Sequence, residues 1–419
     1  MKKISKKLLA MVVAVACVFT LFGCGQAAGD AASSTTESGA AESATLEETV
    51  AAAAETVLGD EIKVGLMTAS SGGTVVLDNY IADSFKMAIG EINDAGGVNG
   101  RKISIVEEDY ACDPATAVEK ATKLIVNDGV CCIFGVVFSS CRIAVMDVVE
   151  QYNNLLIYPT DCEGLEQSSN ILYLGCIPNQ QTAVIAPWIA DNLGKKIYVI
   201  GNDYIFPRST CAQAIAILKE KGCEIVGEEY LALDETDYSN TIAKIKSSGA
   251  EVVYSVVVGD CINSFTMQMH EFGMDDVKIF DVCLDESGTA AIGAEAVDGV
   301  YSGMTYFATI DSPENNAFRE KIETKFGYTP TVYSATAYTG AYLLAQAFGE
   351  VGDSFTTQDL IDAFCKQSYN GPAGNMVMNE NHYASLYPRI GRARTDLLFD
   401  VLYCGDEPIA PDPWAGSAN

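Results

Sequence analysis

Apolar positions along the chain follow two alternating rules. Segments 62–67, 103–106, 131–135, 155–158, 197–201 and 252–258 are short and almost continuously apolar, the pattern of strands buried on both faces. Between them apolar residues recur three and four positions apart. Ile81, Phe85, Ala88 and Ile92 predict one helix, and similar spacing predicts others over 142–152, 209–221, 241–248, 262–272, 313–326 and 335–350. Punctuation supports these limits. Asn93-Asp94-Ala95-Gly96-Gly97 is a glycine-rich helix stop, and Asp113-Pro114 is an N-cap with proline at the first helical position. Continuous strands separated by amphipathic helices predict parallel sheets covered on both faces. Two such α/β units are expected near 60–177 and 178–305, with a short β-type tail from about residue 370.

The first residues follow neither rule. Lys2, Lys3, Lys6 and Lys7 precede an apolar run from Leu8 to Phe22, the size of a signal h-region. The run ends in Leu21-Phe22-Gly23-Cys24, which resembles the bacterial lipobox, although Phe22 is bulkier than is usual there. The resemblance implies a lipoprotein signal peptide over 1–23 and a lipid on Cys24. Residues 24–60 are expected to be a disordered tether, since 25–60 contain no aromatic residue, Lys or Arg. The folded part is then extracytoplasmic and anchored to the cell membrane as a lipoprotein.

Composition narrows the function. Against 56 Asp and Glu the chain has 26 Lys and Arg, a formal charge of −30; such a body repels polyphosphate, so no nucleic-acid partner is expected. Two histidines, His270 and His382, make a His-rich zinc site or a histidine triad a poor fit, and both read as surface residues. No cofactor, metal or catalytic residue is assigned. Twelve of the 14 cysteines lie beyond Cys24, mostly inside apolar stretches and with no CxxC. They read either as a disulfide set or as buried free thiols, and a domain with a large core favours the second. Cys162 beside Glu163 raises the alternative of an enzyme, but a cysteine nucleophile needs a neighbouring base.

No GxGxxG or GxxxxGK[ST] follows a predicted strand, so dinucleotide and P-loop readings fail on their own motifs. In open α/β sheets the ligand lies at the carboxyl ends of strands. The tips after residues 134, 157, 200, 258 and 282 mix aromatic, hydroxyl and carboxylate side chains, the composition of a pocket for a small polar solute.

The order of these segments resembles the type I periplasmic solute-binding proteins of ABC transporters, in particular the urea and short-chain amide branch. Ile92-Asn93-Asp94-Ala95-Gly96-Gly97-Val98-Asn99-Gly100-Arg101 and Asp113-Pro114-Ala115-Thr116-Ala117 mark the wider superfamily. Narrower signals are Tyr158-Pro159-Thr160 with Glu163-Gly164, Pro178-Asn179-Gln180-Gln181, Asn202-Asp203-Tyr204-Ile205-Phe206-Pro207-Arg208 and Ile390-Gly391-Arg392. The likeness runs from about residue 62 to about 401. It implies two doubly wound parallel-sheet lobes joined by hinge strands: 60–177 with 307–365, and 178–306 with 366–405, followed by a tail over 406–419. It implies no enzymatic activity, urea or a short-chain amide as solute, and ABC permease subunits as partners. Carried over by position, Ser139, Tyr158, Thr160, Tyr204 and Phe206 line the cleft.

Asp161 stands where relatives carry an uncharged residue, and Asp260 and Glu286 follow later strands. If all three face the cleft, the solute carries an ammonium group; if one or two do, a neutral amide stands. The alternative solute is therefore a branched-chain type amino acid or a small cationic amine. The competing reading of the aromatic residues is ordinary core packing.

Overall fold

A computed structural model describes residues 55–415. The signal segment 1–23, the lipid site Cys24 and the tether as far as residue 54 lie outside the described residues. Residues 55–60 depart from the expected disorder. Strand β1 (Thr56–Val57) pairs antiparallel with residues 354–355, and Leu58 packs on the core. This one apolar side chain gives the end of the tether a reason to order.

The chain continues as β2 (Glu61–Thr68), α1 (Val75–Asp94), β3 (Lys102–Asp109), α2 (Pro114–Lys123), β4 (Cys132–Gly135), α3 (Ser139–Gln151), β5 (Leu156–Tyr158) and β6 (Ile171–Tyr173). The strands from β2 to β6 form a parallel sheet ordered β3-β2-β4-β5-β6. As Asp-Pro predicts, Asp113 caps α2, accepting the Thr116 N–H at 2.8 Å. Helix α1 lays its apolar stripe on this sheet, with Phe85 stacked on Phe134 at 4.2 Å between ring centroids.

Next come α4 (Thr182–Asn192), β7 (Lys196–Asn202), α5 (Ile205–Glu220), β8 (Glu224–Leu231), α6 (Ser239–Ser248), β9 (Val252–Val256), α7 (Asp260–Glu271), β10 (Lys278–Asp281), α8 (Glu286–Ile292), α9 (Ala294–Val297) and β11 (Tyr301–Met304). After these follow α10 (Pro313–Phe326), α11 (Val332–Val351), β12 (Ser354–Phe355), α12 (Thr357–Phe364), β13 (Ser368–Gly371), β14 (Gly374–Met378), β15 (Ala384–Ser385), β16 (Arg389–Ala393) and β17 (Phe399–Cys404). The second sheet is ordered β17-β16-β11-β10-β9-β7-β8. It is parallel except for β16 and β17, which add an antiparallel edge.

The chain thus passes between the sheets three times: after β6, after β11 and before β16. Helices α10 and α11 return to the first sheet, where Lys321, Tyr338 and Tyr342 converge on Glu91 of α1 at 2.7–3.0 Å.

Residues 368–385, expected with the second lobe, instead form a separate three-stranded sheet beside the first. Tyr369 stacks on Tyr342 and Tyr383 on Tyr173, at 4.6 and 4.1 Å between centroids. Ring burial against α11 and β6 decides their place. His382, expected on the surface, is half-buried and its Nδ1 lies 3.0 Å from the Ser168 carbonyl. His270 stays partly exposed at the end of α7, paired with Asp275. The twelve described cysteines are all free, and Cys404 alone among them is exposed.

Phe85 is wholly buried, so Phe85→Ala should lower stability by about 3–5 kcal/mol through lost transfer energy and the cavity left behind. Denaturant unfolding checks this; a loss below about 1 kcal/mol would mean that α1 does not anchor the first sheet.

Candidate functional site

The carboxyl ends of both sheets face one cavity of about 140 Å³. Each wall is a set of strand-to-helix turns. From the first sheet come residues 72–77 after β2, Val137, Phe138 and Ser139 after β4, and Thr160 and Asp161 after β5. From the second come Tyr204 and Phe206 after β7, Val258, Gly259, Asp260, Ile262 and Asn263 after β9, and Cys283, Asp285, Ser287 and Gly288 after β10. The tips touch across the cavity. Phe138 meets Tyr204 edge-on at 5.8 Å. Gly259, at φ +59°, comes so close to Gly73 that a Cβ there would lie 2.6 Å from the Gly73 carbonyl oxygen.

Six of the eight sequence-predicted site residues line this cavity: Ser139, Thr160, Asp161, Tyr204, Phe206 and Asp260. Tyr158 does not. It is wholly buried behind the wall, its hydroxyl donating to the Val137 carbonyl and its ring 5.0 Å from the Arg142 guanidinium. It braces the wall without reaching the cavity. Glu286 does not line it either. As the first residue of α8 it points roughly 100° away from its predecessor and accepts the Ala308 N–H at 2.6 Å. Its place is taken by Asp285, the helix cap. Tyr333 and residues 72–77 also line the cavity without having been expected there. The strand-end rule reaches the 72–77 segment, since Ser70-Ser71-Gly72-Gly73-Thr74 follows the first strand. Tyr333 begins a helix late in the chain and carries no such signal.

Three carboxylates face the cavity, and none of its lining residues is Lys, Arg or His. Asp285 is 3% exposed. Its Oδ1 accepts the Ser287 and Gly288 N–H groups at 3.0 and 3.1 Å, while its buried Oδ2 has no partner. The Asn263 Oδ1 is likewise buried and unpartnered. Both residues border Gly288, where a Cβ would lie 3.9 Å from Asn263 Oδ1 and 4.0 Å from Asp285 Oδ1. Burial pushes the Asp285 and Asp161 carboxyls above the usual range. Asp260 stands at the exposed rim. Asp203 and Arg208 pair with each other at 2.6 Å on the surface.

Asp161 is placed by backbone packing. Its Oδ1 accepts the Cys176 N–H at 2.8 Å, and Gly175 lies so close that a Cβ would be 2.1 Å from the Thr160 carbonyl carbon. Behind Ser139 lies a buried network. The Ser139 hydroxyl donates to Glu163 at 2.9 Å, and Arg142 Nη2 donates to the other Glu163 oxygen at 2.8 Å. Arg142 also bonds Glu166, which accepts the Tyr173 hydroxyl. Cys162 is no nucleophile: burial pushes its thiol up to about 12.

A family described as "Periplasmic binding protein domain" matches residues 62–419. An "Amino acid binding protein" from Pseudomonas aeruginosa is 29% identical over 70% of this chain and 79% of its own length. A "Leucine-, isoleucine-, valine-, threonine-, and alanine-binding protein" from the same species is 26% identical over 77% and 86%. Among solved structures, an ABC transporter solute-binding protein from Rhodopseudomonas palustris, in complex with 3,4-dihydroxybenzoic acid, superposes with a TM-score of 0.78 at 23% identity. It covers 84% of this chain and 99% of that one. A branched-chain amino acid transporter substrate-binding protein from Streptococcus pneumoniae, in complex with isoleucine, gives 0.74 at 20% identity, covering 84% and 100%. The type I fold is therefore established; these matches do not by themselves assign the urea and short-chain amide branch.

Two outcomes test the site's construction. Gly175→Ala should displace Thr160 and Asp161 and cut solute affinity at least tenfold; calorimetry showing unchanged affinity would disprove that placement. Burial pushes Glu286 up to about 8. Between about pH 4.3, its unfolded value, and pH 8 the folded state holds a proton that the unfolded state has lost. Stability therefore falls as pH rises through this window. Glu286→Gln should raise the melting temperature at pH 8 by a few degrees and change it little at pH 4. Equal effects at the two pH values would refute the assignment.

Proposed function

The chain belongs to the periplasmic binding protein domain family, whose members bind solutes for ABC transporters and are not enzymes, and we propose that its solute carries an ammonium group. The observation that carries this reading is a cavity lined by Asp161, Asp260 and Asp285 with no lining cation, in which the Asp285 Oδ2 is unpartnered. Carboxylates gathered without a counter-charge repel one another and suffer desolvation. An ammonium offers three N–H donors; Asp285 Oδ2 and Asn263 Oδ1 are unpartnered acceptors for them, and Asp161 adds negative charge from the first sheet's wall. Of the three carboxylates in the sequence criterion Asp161 and Asp260 line the cavity and Glu286 does not, the outcome that favours a neutral amide; the ammonium reading rests instead on Asp285, which that criterion did not name.

Size supports the same class. The cavity's 140 Å³ resembles the ~150 Å³ that accepts benzene, more room than urea fills. The rings of Phe138, Tyr204, Phe206 and Tyr333 offer apolar cover for a carbon skeleton. An amino acid or small amine fits these walls, and the relatives named as amino-acid binders support that choice. Urea or a short amide is the second reading, favoured by the flat faces of Tyr204 and Phe206. In this proposal the solute closes two lobes, one around each sheet, at the Phe138–Tyr204 and Gly73–Gly259 contacts. The lipid on Cys24 holds the protein at the membrane, and ABC permease subunits receive the solute.

Calorimetry of the purified protein against leucine, butylamine, acetamide and urea tests the solute class. At least one ammonium ligand should bind, and Asp285→Asn should weaken it about 10–100-fold, the worth of a charged hydrogen bond. Its affinity should also fall on acidification, as the raised Asp285 and Asp161 carboxyls take up protons. Binding of acetamide or urea with no binding of either ammonium ligand would overturn the proposal.

A further inference from the structure

The buried network behind Ser139 sets the direction of the hydrogen bonds that the first sheet offers to a solute. A serine hydroxyl has one proton and two acceptor lone pairs. Ser139 gives its proton to Glu163 Oε2 at 2.9 Å, while Arg142 holds Glu163 Oε1 at 2.8 Å. Arg142 is wholly buried and Glu163 is 3% exposed, so neither is free to turn away. What Ser139 presents to the cavity is therefore its lone pairs. Thr160 behaves similarly, its hydroxyl directed at the Val137 carbonyl at 3.4 Å.

The start of α3, where Ser139 sits, would ordinarily suit a ligand's carboxylate, because first-turn N–H groups lack intrahelical acceptors. Here the side chains of Ser139 and Arg142 in that turn bind Glu163, so a carboxylate of the protein already lies next to it. A ligand carboxylate here would face Glu163 behind Ser139 and share this wall with Asp161. The second sheet's wall carries Asp285 Oδ2 and Asn263 Oδ1, both acceptors without partners. Side chains on both walls of the cavity accept, and none of the lining side chains is a cation.

We infer that Glu163, clamped by Arg142, is a specificity-determining residue acting through Ser139, and that it selects solutes with N–H-rich groups at both ends, of the diamine class, over α-amino acids. This rests on the ammonium reading above and adds a second donor group at the Ser139 wall. Glu163 does not touch the solute; it is a positioning residue.

The test is calorimetry of the full chain with 1,4-diaminobutane, butylamine and leucine. The diamine should bind at least tenfold tighter than either of the others. In Glu163→Gln the new amide donates to Ser139 and frees the hydroxyl proton. The preference for diamine over leucine should then shrink at least tenfold, with leucine affinity rising. Glu166 still pairs Arg142 in that variant; should it fail to fold, Ser139→Ala decides, since it leaves the Arg142–Glu163 pair intact. Ser139→Ala should weaken the diamine about tenfold, and weaken it more than it weakens butylamine. Leucine binding as tightly as the diamine, or a preference unmoved in the folded variants, overturns the inference while the ammonium reading stands. If none of the three ligands binds, the ammonium reading itself fails and this inference with it.

Discussion

Arg142 carries a permanent charge to a position with no solvent exposure, and a buried charge must be paired. Glu163 and Glu166 pair it. Each then recruits more of the chain: Glu163 holds Ser139, and Glu166 takes the hydroxyl of Tyr173. The backbone carbonyl of Glu166 takes the hydroxyl of Tyr383. The Tyr158 ring lies against the guanidinium and the Tyr383 ring on Tyr173. One cation thus joins α3, the loop after β5, strand β6 and the small sheet of residues 368–385. Removing Arg142, or both of its carboxylates, would leave uncompensated charge in the interior, a far larger cost than any single hydrogen bond there.

The cavity is built on the opposite principle. Asp161, Asp260 and Asp285 approach without a lining cation, and burial raises two of them above the usual carboxylate range. A structural ion cluster would contain its own counter-charge, as the Arg142 network does a few residues away. Placing the protein's buried cation behind the wall and its unpaired acceptors on it separates support from recognition. Asp78 and Glu286 also bury an unpartnered carboxylate oxygen, but away from the cavity; the buried, unpartnered acceptors of Asp285 and Asn263 belong to residues that line it.

Much of the architecture was legible from periodicity. Segments 62–67 and 197–201 fall inside β2 and β7, and the 313–326 helix matches α10 at both ends. Less legible were β8, whose residues are all half-buried or exposed, and α4, which contains Pro187. Neither a continuous apolar run nor a clean helical stripe marks an edge strand or a proline-bearing helix. Residues 368–385 misled because a short strand's partner depends on which distant rings cover it.

The sequence by itself determined the alternation of strand and helix, the strand ends that frame the cavity, and the surplus of acid. These depend on neighbours in the chain, and the period of the apolar residues reports them. Only the tertiary structure decided which acids face the cavity. Asp285 and Glu286 are adjacent and both acidic, yet one caps α8 into the cavity and the other turns toward Ala308. It likewise decided that Tyr158 stands behind the wall and that Tyr333, far along the chain, stands on it. The reason is physical: a side chain's direction is set by the local turn, but what it meets there is set by packing against residues hundreds of positions away.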